Sequence, residues 1–324
     1  MQKNAFVTGA TGFLGVHLIE ALVKDGWNIT AIHRSKIEHP LLKNATVSWK
    51  EASLFDVESL KKAMPDDDFT VFHLAASTAQ WQPEFAMQRK TNVLGTANVI
   101  EAALYKKARR FVHTSSITSF GLHEGIITEK TPQTAKESNL EYAITKLEGE
   151  ELVKKAVREQ NLDAVILNPC HIIGPWDTHN WIQLFEKVLD KSLPGIPPAS
   201  GNFAWVSEVA KAHITAASLG KKGENYILGG PYATMLAMIQ EMQQQLSYPI
   251  SSKTTPAFLL RAMVPVFTIQ SFFTKKEPTL TPNKVTFLLK SLQADDAKAK
   301  LELGYKHKTM PEIVKETLAW VKNR

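Results

Sequence analysis

The stretch Phe6-Val7-Thr8-Gly9-Ala10-Thr11-Gly12-Phe13-Leu14-Gly15 decides how this chain is read. Three glycines at this spacing follow an apolar strand, Ala5 to Val7, and open a helix from Phe13 to Lys24 in which Leu14, Leu18, Leu22 and Val23 recur at helical intervals. Gly26 stops that helix, and a second strand follows from Asn28 to Ile32. Lacking a side chain, Gly9 permits a tight turn, Gly12 lets the backbone approach a pyrophosphate, and Gly15 lets the helix lie close to its strand. Unpaired N–H groups and the helix dipole at such an N-terminus favour negative charge.

Outward from this unit, strand and helix patterns alternate through the first half, the mark of a parallel sheet covered on both faces. Val47 to Trp49 reads as a third strand, and Asp56-Val57-Glu58-Ser59 caps a helix running to about Met64. Thr70 to Ala76 is apolar enough for a strand buried on both faces. A long helix is expected over Glu84 to Lys107, a strand over Arg110 to Thr114, a helix over Leu140 to Gln160 and a strand over Asp163 to Leu167. From Gly174 prolines and glycines cluster, as where loops build a lobe rather than a regular sheet. A helix over Glu208 to Ala217 and a strand over Asn225 to Leu228 return to the main sheet, and helical patterns recur at Met235 to Leu246, Asn283 to Leu292, Asp295 to Leu303 and Pro311 to Val321.

At 324 residues and 44% hydrophobic, the chain can bury a large core. Its net charge of +6 is spread among interspersed acids, so no basic stripe points to nucleic acid. Cys170 is the single cysteine, which excludes an internal disulfide and a cysteine metal cluster, and His171, His179 and His213 lack clustered partner ligands. A strand starting this close to Met1 leaves no room for a signal peptide, so a soluble, cytoplasmic protein is expected. Pro256 to Phe273 is apolar but shorter than the roughly 20 residues of a membrane span and is interrupted by Arg261 and Pro265. It is expected to cap a substrate pocket through Phe258, Leu259, Val266 and Phe272; the alternative is monotopic membrane contact, with Lys275 and Lys276 near the headgroups.

The spacing Thr-Gly-x-x-Gly-x-x-Gly resembles that of the extended short-chain dehydrogenase/reductases, within the NAD-dependent epimerase/dehydratase superfamily. The resemblance demands a Tyr-x-x-x-Lys pair past the fifth strand with a serine before it, and Tyr142-Ala143-Ile144-Thr145-Lys146 with Ser115-Ser116 answers it. Val71 to Ala76, Asn92 to Thr96, Asn168-Pro169 with Gly174-Pro175, Tyr226 to Gly230 and Ala299 to Tyr305 are similar to stretches of the dihydroflavonol reductase-like and 3β-hydroxysteroid dehydrogenase-like group. Phe203-Ala204-Trp205-Val206-Ser207-Glu208 and Cys170 depart from its pattern, which bears on the substrate rather than the fold.

This resemblance implies an α/β fold, a Rossmann-type doubly wound parallel sheet with a smaller C-terminal substrate lobe. Residues 1–174 would bind the cofactor, with 203–230 returning to that domain, and 175–324 would mainly form the lobe. It implies Ser116, Tyr142 and Lys146 as catalytic residues, with Ser115 as the alternative serine. The implied cofactor contacts are Gly9, Thr11, Gly12, Phe13, Leu14, Gly15, Arg34, Lys36, Leu54, Leu74, Ala75, Ala76, Pro169 and Ile172, together with Tyr142 and Lys146. A lysine one helical turn beyond a tyrosine is expected to favour tyrosinate and lower the phenol pKa.

An acid at the end of the second strand would bind the ribose 2′-OH of NAD, whereas His33-Arg34-Ser35-Lys36 has none before Glu38. NADP(H) is therefore expected in preference to NAD(H), with Arg34 on the 2′-phosphate. Trp176, His179, Trp181 and Trp205 are expected along the substrate lobe, suiting a flat or apolar carbonyl or alcohol substrate. The rival readings are a nucleotide-sugar epimerase or dehydratase with bound NAD, and a non-catalytic NADP-binding protein. Relatives imply a homodimer through the helices near Glu84 to Lys107 and Leu140 to Gln160.

Overall fold

Solvent is excluded from both faces of Asn4–Thr8, where Ala5, Phe6, Val7 and Thr8 are fully buried, as a central strand between two helical layers requires. The computed structural model describes residues 3–33, 39–43, 45–66, 68–178, 180–274, 277–278 and 280–324, apart from the side chains of Gln270 and Phe272. In it β1 (Asn4–Thr8) pairs in parallel with β2 (Asn28–His33), which pairs with β3 (Val47–Glu51). On the other side of β1 lie β4 (Phe69–His73) and then β5 (Arg110–Thr114). The short β6 (Ile126–Ile127) leaves this sheet, β7 (Ala164–Pro169) rejoins it, and after β8 (His171–Ile173) and β9 (Ser200–Trp205) the strand β10 (Asn225–Leu228) closes its edge. The resulting order is β10-β7-β5-β4-β1-β2-β3, all parallel.

Helices Phe13–Lys24 and Val206–Leu219 cover one face through Val16, Leu18, Ile19, Leu22, Val209 and Ala216. Helices Val57–Ala63, Gly95–Tyr105 and Glu141–Gln160 cover the other through Leu60, Val99, Ile100, Ala103 and Val153. Asp56 caps its helix by accepting hydrogen bonds from the backbone N–H groups of Glu58 and Ser59. Helix Ala297–Leu303 lies against β10, where Tyr226 donates to Glu302 at 2.7 Å.

The helix expected over Glu84 to Lys107 is interrupted by one π turn, Lys90–Leu94, between Phe85–Arg89 and Gly95–Tyr105. Asn92 in that turn accepts from the backbone N–H of Ser77 (2.7 Å) and donates to its carbonyl (3.0 Å), fixing the loop after β4. Its own carbonyl meets Glu141–Gln160 at Gly149, where a Cβ would stand 2.8 Å from it. Such π turns occur mostly where function holds them against the regular ladder.

A second sheet joins β11 (Tyr232–Thr234), β9, β12 (Ser291–Ala294) and β6, with β8 alongside β9. The helix expected over Asn283 to Leu292 ends at Leu288 instead. Beyond it Leu292 and Ala294 are buried on the pleat, and Asn202 accepts from the Ala294 backbone N–H at 2.8 Å, so sheet pairing overrides helical periodicity. The helix Ala257–Thr274 continues through Pro265, but Phe258, Leu259 and Val266 face solvent rather than a pocket, which corrects the expected contacts; the Phe272 side chain lies outside the described residues. Among the described residues no helix is long and apolar enough to cross a membrane.

Candidate active site at the carboxyl ends of the strands

After β3 the chain crosses to the opposite side of β1, so the strand order reverses between β1 and β4 and leaves a crevice beyond their carboxyl ends. The glycine turn sits there. Gly9 has φ of +73°, and a Cβ on it would lie 2.6 Å from the Ala75 nitrogen, so the turn needs both the left-handed backbone and the bare approach to the segment after β4. A Cβ on Gly15 would lie 2.0 Å from the Gly9 carbonyl oxygen, which fixes how tightly the helix returns onto the turn. On Gly12 it would meet only that same carbonyl, at 3.3 Å, with open space otherwise. No side chain caps helix Phe13–Lys24 and no acid occupies its first turn, so its terminal N–H groups are left for an anion. This cradle fits the pyrophosphate of a dinucleotide.

The other expected cofactor contacts spread around this crevice. Thr11 is exposed and Phe13 and Leu14 are half-buried at the mouth of the helix. The Thr8 hydroxyl bonds the His73 ring at 2.7 Å and accepts from the Ala75 N–H at 3.3 Å, and the Thr8 carbonyl accepts from the Leu74 N–H at 3.2 Å, which ties Leu74 and Ala75, with Ala76 next in the chain, to the end of β1. Leu54 is buried against Gly95, its carbonyl accepting from Asn98 at 2.8 Å. Pro169 ends β7 and Ile172 lies half-buried in β8. Arg34 and Lys36 lie outside the described residues.

Ser116 follows β5 and caps the 3₁₀ turn Ile117–Phe120, its Oγ accepting from the Thr118 N–H (3.2 Å) and hydroxyl (2.9 Å). Its side chain stands beside Tyr142, in the first turn of Glu141–Gln160. Burial raises the Tyr142 phenol above its usual range, and the Ser116 hydrogen bond offsets this only in part. Lys146 is buried one turn further and donates to the Thr114 carbonyl at 2.5 Å; burial lowers its pKa to about 8, opposed by the charge of Glu150. The expected lowering of the phenol by this lysine is therefore not what the site provides: both groups are governed by desolvation.

Beneath this trio lies a carboxylate with no obvious sequence signal. Glu150, wholly excluded from solvent, accepts from Ser115 (2.6 Å), Ser119 (3.1 Å) and Asn168 (2.9 Å) on one oxygen. Gln133 (2.7 Å), Asn225 (2.7 Å) and Lys154 (2.8 Å) occupy the other. Burial alone would raise its pKa, but the Lys154 charge and the hydrogen bonds outweigh that and hold it below the ordinary carboxylate range. Ser115 is thus committed to Glu150, and Ser116 is the serine facing Tyr142. A glutamate one turn past a lysine is common on helix surfaces; only the tertiary fold shows that this one faces inward.

The lobe's aromatic residues are used differently from the expected wall. Trp205 is buried in the lobe core with the Lys308 ammonium 4.5 Å over its ring, and Trp176 packs against His39 and Trp320. Trp181 and Phe203 flank the His171 ring, whose pKa burial lowers to about 4, so this histidine is an aromatic packing element and stays neutral. His213 is buried, bonded to Thr114 and to the Val209 carbonyl. His179 lies outside the described residues.

A crevice of this kind at a reversal of strand order takes a dinucleotide, and the class is that of the NAD(P)-dependent oxidoreductases of the extended short-chain type. The family is the NAD dependent epimerase/dehydratase family: residues 5–229 match its model, and the chain belongs to it. Over 331 residues it is 26% identical to a Synechocystis protein provisionally named dihydroflavonol 4-reductase, covering 100% of this chain and 96% of that one. It is also 26% identical over 328 residues to sterol demethylase protein B of Methylococcus capsulatus, covering 99% of each. The crystal structure of gox2253 superimposes with a TM-score of 0.84 at 26% identity, covering 99% of this chain and 98% of that one. A Bacillus cereus UDP-glucuronic acid 4-epimerase with UDP-glucuronic acid and NAD gives 0.79 at 20% identity over 99% of each chain, a likeness of fold.

Proposed function

We propose that this enzyme reduces a ketone or aldehyde with NADP(H), reversibly oxidising the alcohol, and that Ser116, Tyr142 and Lys146 act on the reacting oxygen while residues 175–324 hold the substrate. The observation that carries this reading is the placement of Ser116, just past β5, beside Tyr142, with burial keeping the Tyr142 phenol protonated. When bound, the nicotinamide supplies hydride to the carbonyl carbon. Ser116 and Tyr142 hydrogen-bond the carbonyl oxygen, and Tyr142 delivers its proton to the alkoxide as the alcohol forms. Lys146 contributes a cation at the rim of β5 and would hold ribose hydroxyls. Gly9, Gly12 and Gly15 admit the pyrophosphate.

The Lys146 cation is present below about pH 8 and is lost as pH rises through that value. Accordingly kcat/KM for reduction should hold level near neutrality and fall above about pH 8; a profile flat to pH 10 would remove Lys146 from this role.

The preference for NADP(H) rests on the sequence after β2, where Arg34 and Lys36 stand without an acid before Glu38. Screening ketones, aldehydes and nucleotide-sugars with NADPH and NADH, read at the nicotinamide absorbance, tests the whole reading. Turnover of a nucleotide-sugar without net cofactor change would favour an epimerase instead. Arg34→Asp should weaken NADPH binding roughly ten- to a hundredfold, the loss of one charge-assisted contact, while sparing NADH. Equal weakening of both would end the assignment.

A further inference from the structure

Helix Ala257–Thr274 has an apolar face turned away from the protein as well as one turned toward it. Inward, Leu260 and Ser271 are buried and Val264 lines a groove with Pro282, Val285 and Leu289. Outward, Phe258, Ala262, Val266, Ile269 and Phe273 follow one another at steps of four, four, three and four residues, which keeps them on one side of a helix. Phe258 is 67% exposed, Val266 64%, Ile269 62% and Phe273 78%, with Leu259 beside them. Single exposed hydrophobic residues are ordinary on a protein surface; a continuous row along a whole helix is not.

Along the helix itself the charge has one sign, and Glu277, just past it, is paired with Lys284 at 2.9 Å. From residue 242 to 276 the sequence contains no Asp or Glu and carries Lys253, Arg261, Lys275 and Lys276. Arg261 is exposed at the rim of the groove, between the two faces of the helix. A second copy of the chain meeting this face about a two-fold axis would set like charges against like. An anionic, apolar-backed surface complements both properties, and the helix is too short to cross one.

We infer that Ala257–Thr274 docks the enzyme on the surface of a bilayer containing anionic phospholipids, with Phe258, Val266 and Ile269 in the interface and Arg261 reaching the headgroups. This holds whatever carbonyl the active site takes. Phe287, in the helix that packs against Ala257–Thr274, also packs around Thr118, Leu140 and Ala143, neighbours in sequence of Ser116 and Tyr142.

Sedimentation of the full-length protein with phosphatidylcholine vesicles, with and without phosphatidylglycerol, tests the inference. Binding is expected to the anionic vesicles at low salt and to fall as salt rises. Val266→Asp with Ile269→Asp should weaken it by about tenfold or more, with thermal unfolding unchanged because both positions are exposed. An environment-sensitive dye on Ile269→Cys should shift its emission to the blue on those vesicles; the native Cys170 is buried, its thiol pushed up by burial, and stays unlabelled. Protein left in the supernatant at low salt with either vesicle, or a dye that stays water-like, would overturn the docking. So would vesicle-independent dimers that these two substitutions dissociate, which would assign the row to a second copy.

Discussion

Tyr142→Phe is expected to lose turnover by about a hundred- to ten-thousandfold with whatever carbonyl the wild type reduces, the usual range for removing a general acid. Only one hydroxyl goes, from a half-buried side chain at the start of Glu141–Gln160, so unfolding and NADPH titration should match the wild type. The contrast with Ser116→Ala is informative. That change removes the donor that partly offsets the raised phenol pKa and leaves the Thr118 hydroxyl without its acceptor, so kcat should fall while Tyr142 remains able to give a proton. A Tyr142→Phe enzyme working at near wild-type rate would make the residue a bystander and return the chemistry to an unassigned group.

Glu150→Ala should cost about 3–5 kcal/mol of folding stability, because it strips the shared acceptor from six donors around a fully buried point and leaves Lys154 without its buried partner. The urea midpoint measures it. The pH dependence follows from the sign of the shift. A carboxyl held low in the folded state stabilises the protein at pH values above its unfolded pKa, about 4.3, and that contribution is lost as pH falls through the folded value. Wild type and Glu150→Gln should therefore differ most near neutrality and converge in acid. A difference that persists unchanged under strong acid would mean that the carboxylate charge is not what the network uses.

Much of this fold is written locally. The glycine turn, the strands Asn4–Thr8 and Arg110–Thr114 and the helix carrying Tyr142 and Lys146 follow from residues within a few positions of one another, and so are readable from the chain. What escaped is tertiary. The donors to Glu150 come from positions 115, 119, 133, 154, 168 and 225, and nothing in the sequence near residue 150 announces that they converge. The π turn at Lys90–Leu94 depends on Ser77 and Gly149, and Ser291–Ala294 became a strand because Asn202 and β9 were there to receive it. Trp205 read as a pocket wall because aromatic residues suit pockets and cores alike; burial alone tells them apart.

The way the main sheet is closed bears on how the chain can be made. Every residue of β7 is buried, yet its outer neighbour, β10, is not synthesised until Asn225–Leu228, and the helix over β10 comes only with Ala297–Leu303. A nascent chain emerging from the ribosome therefore holds an apolar strand with one unpaired flank for a long interval, a template for sticking to its neighbours. A fragment cut at residue 174 would keep that flank permanently. The main sheet is thus finished only by residues made late, and helix Ala297–Leu303 acts as the latch over its last strand.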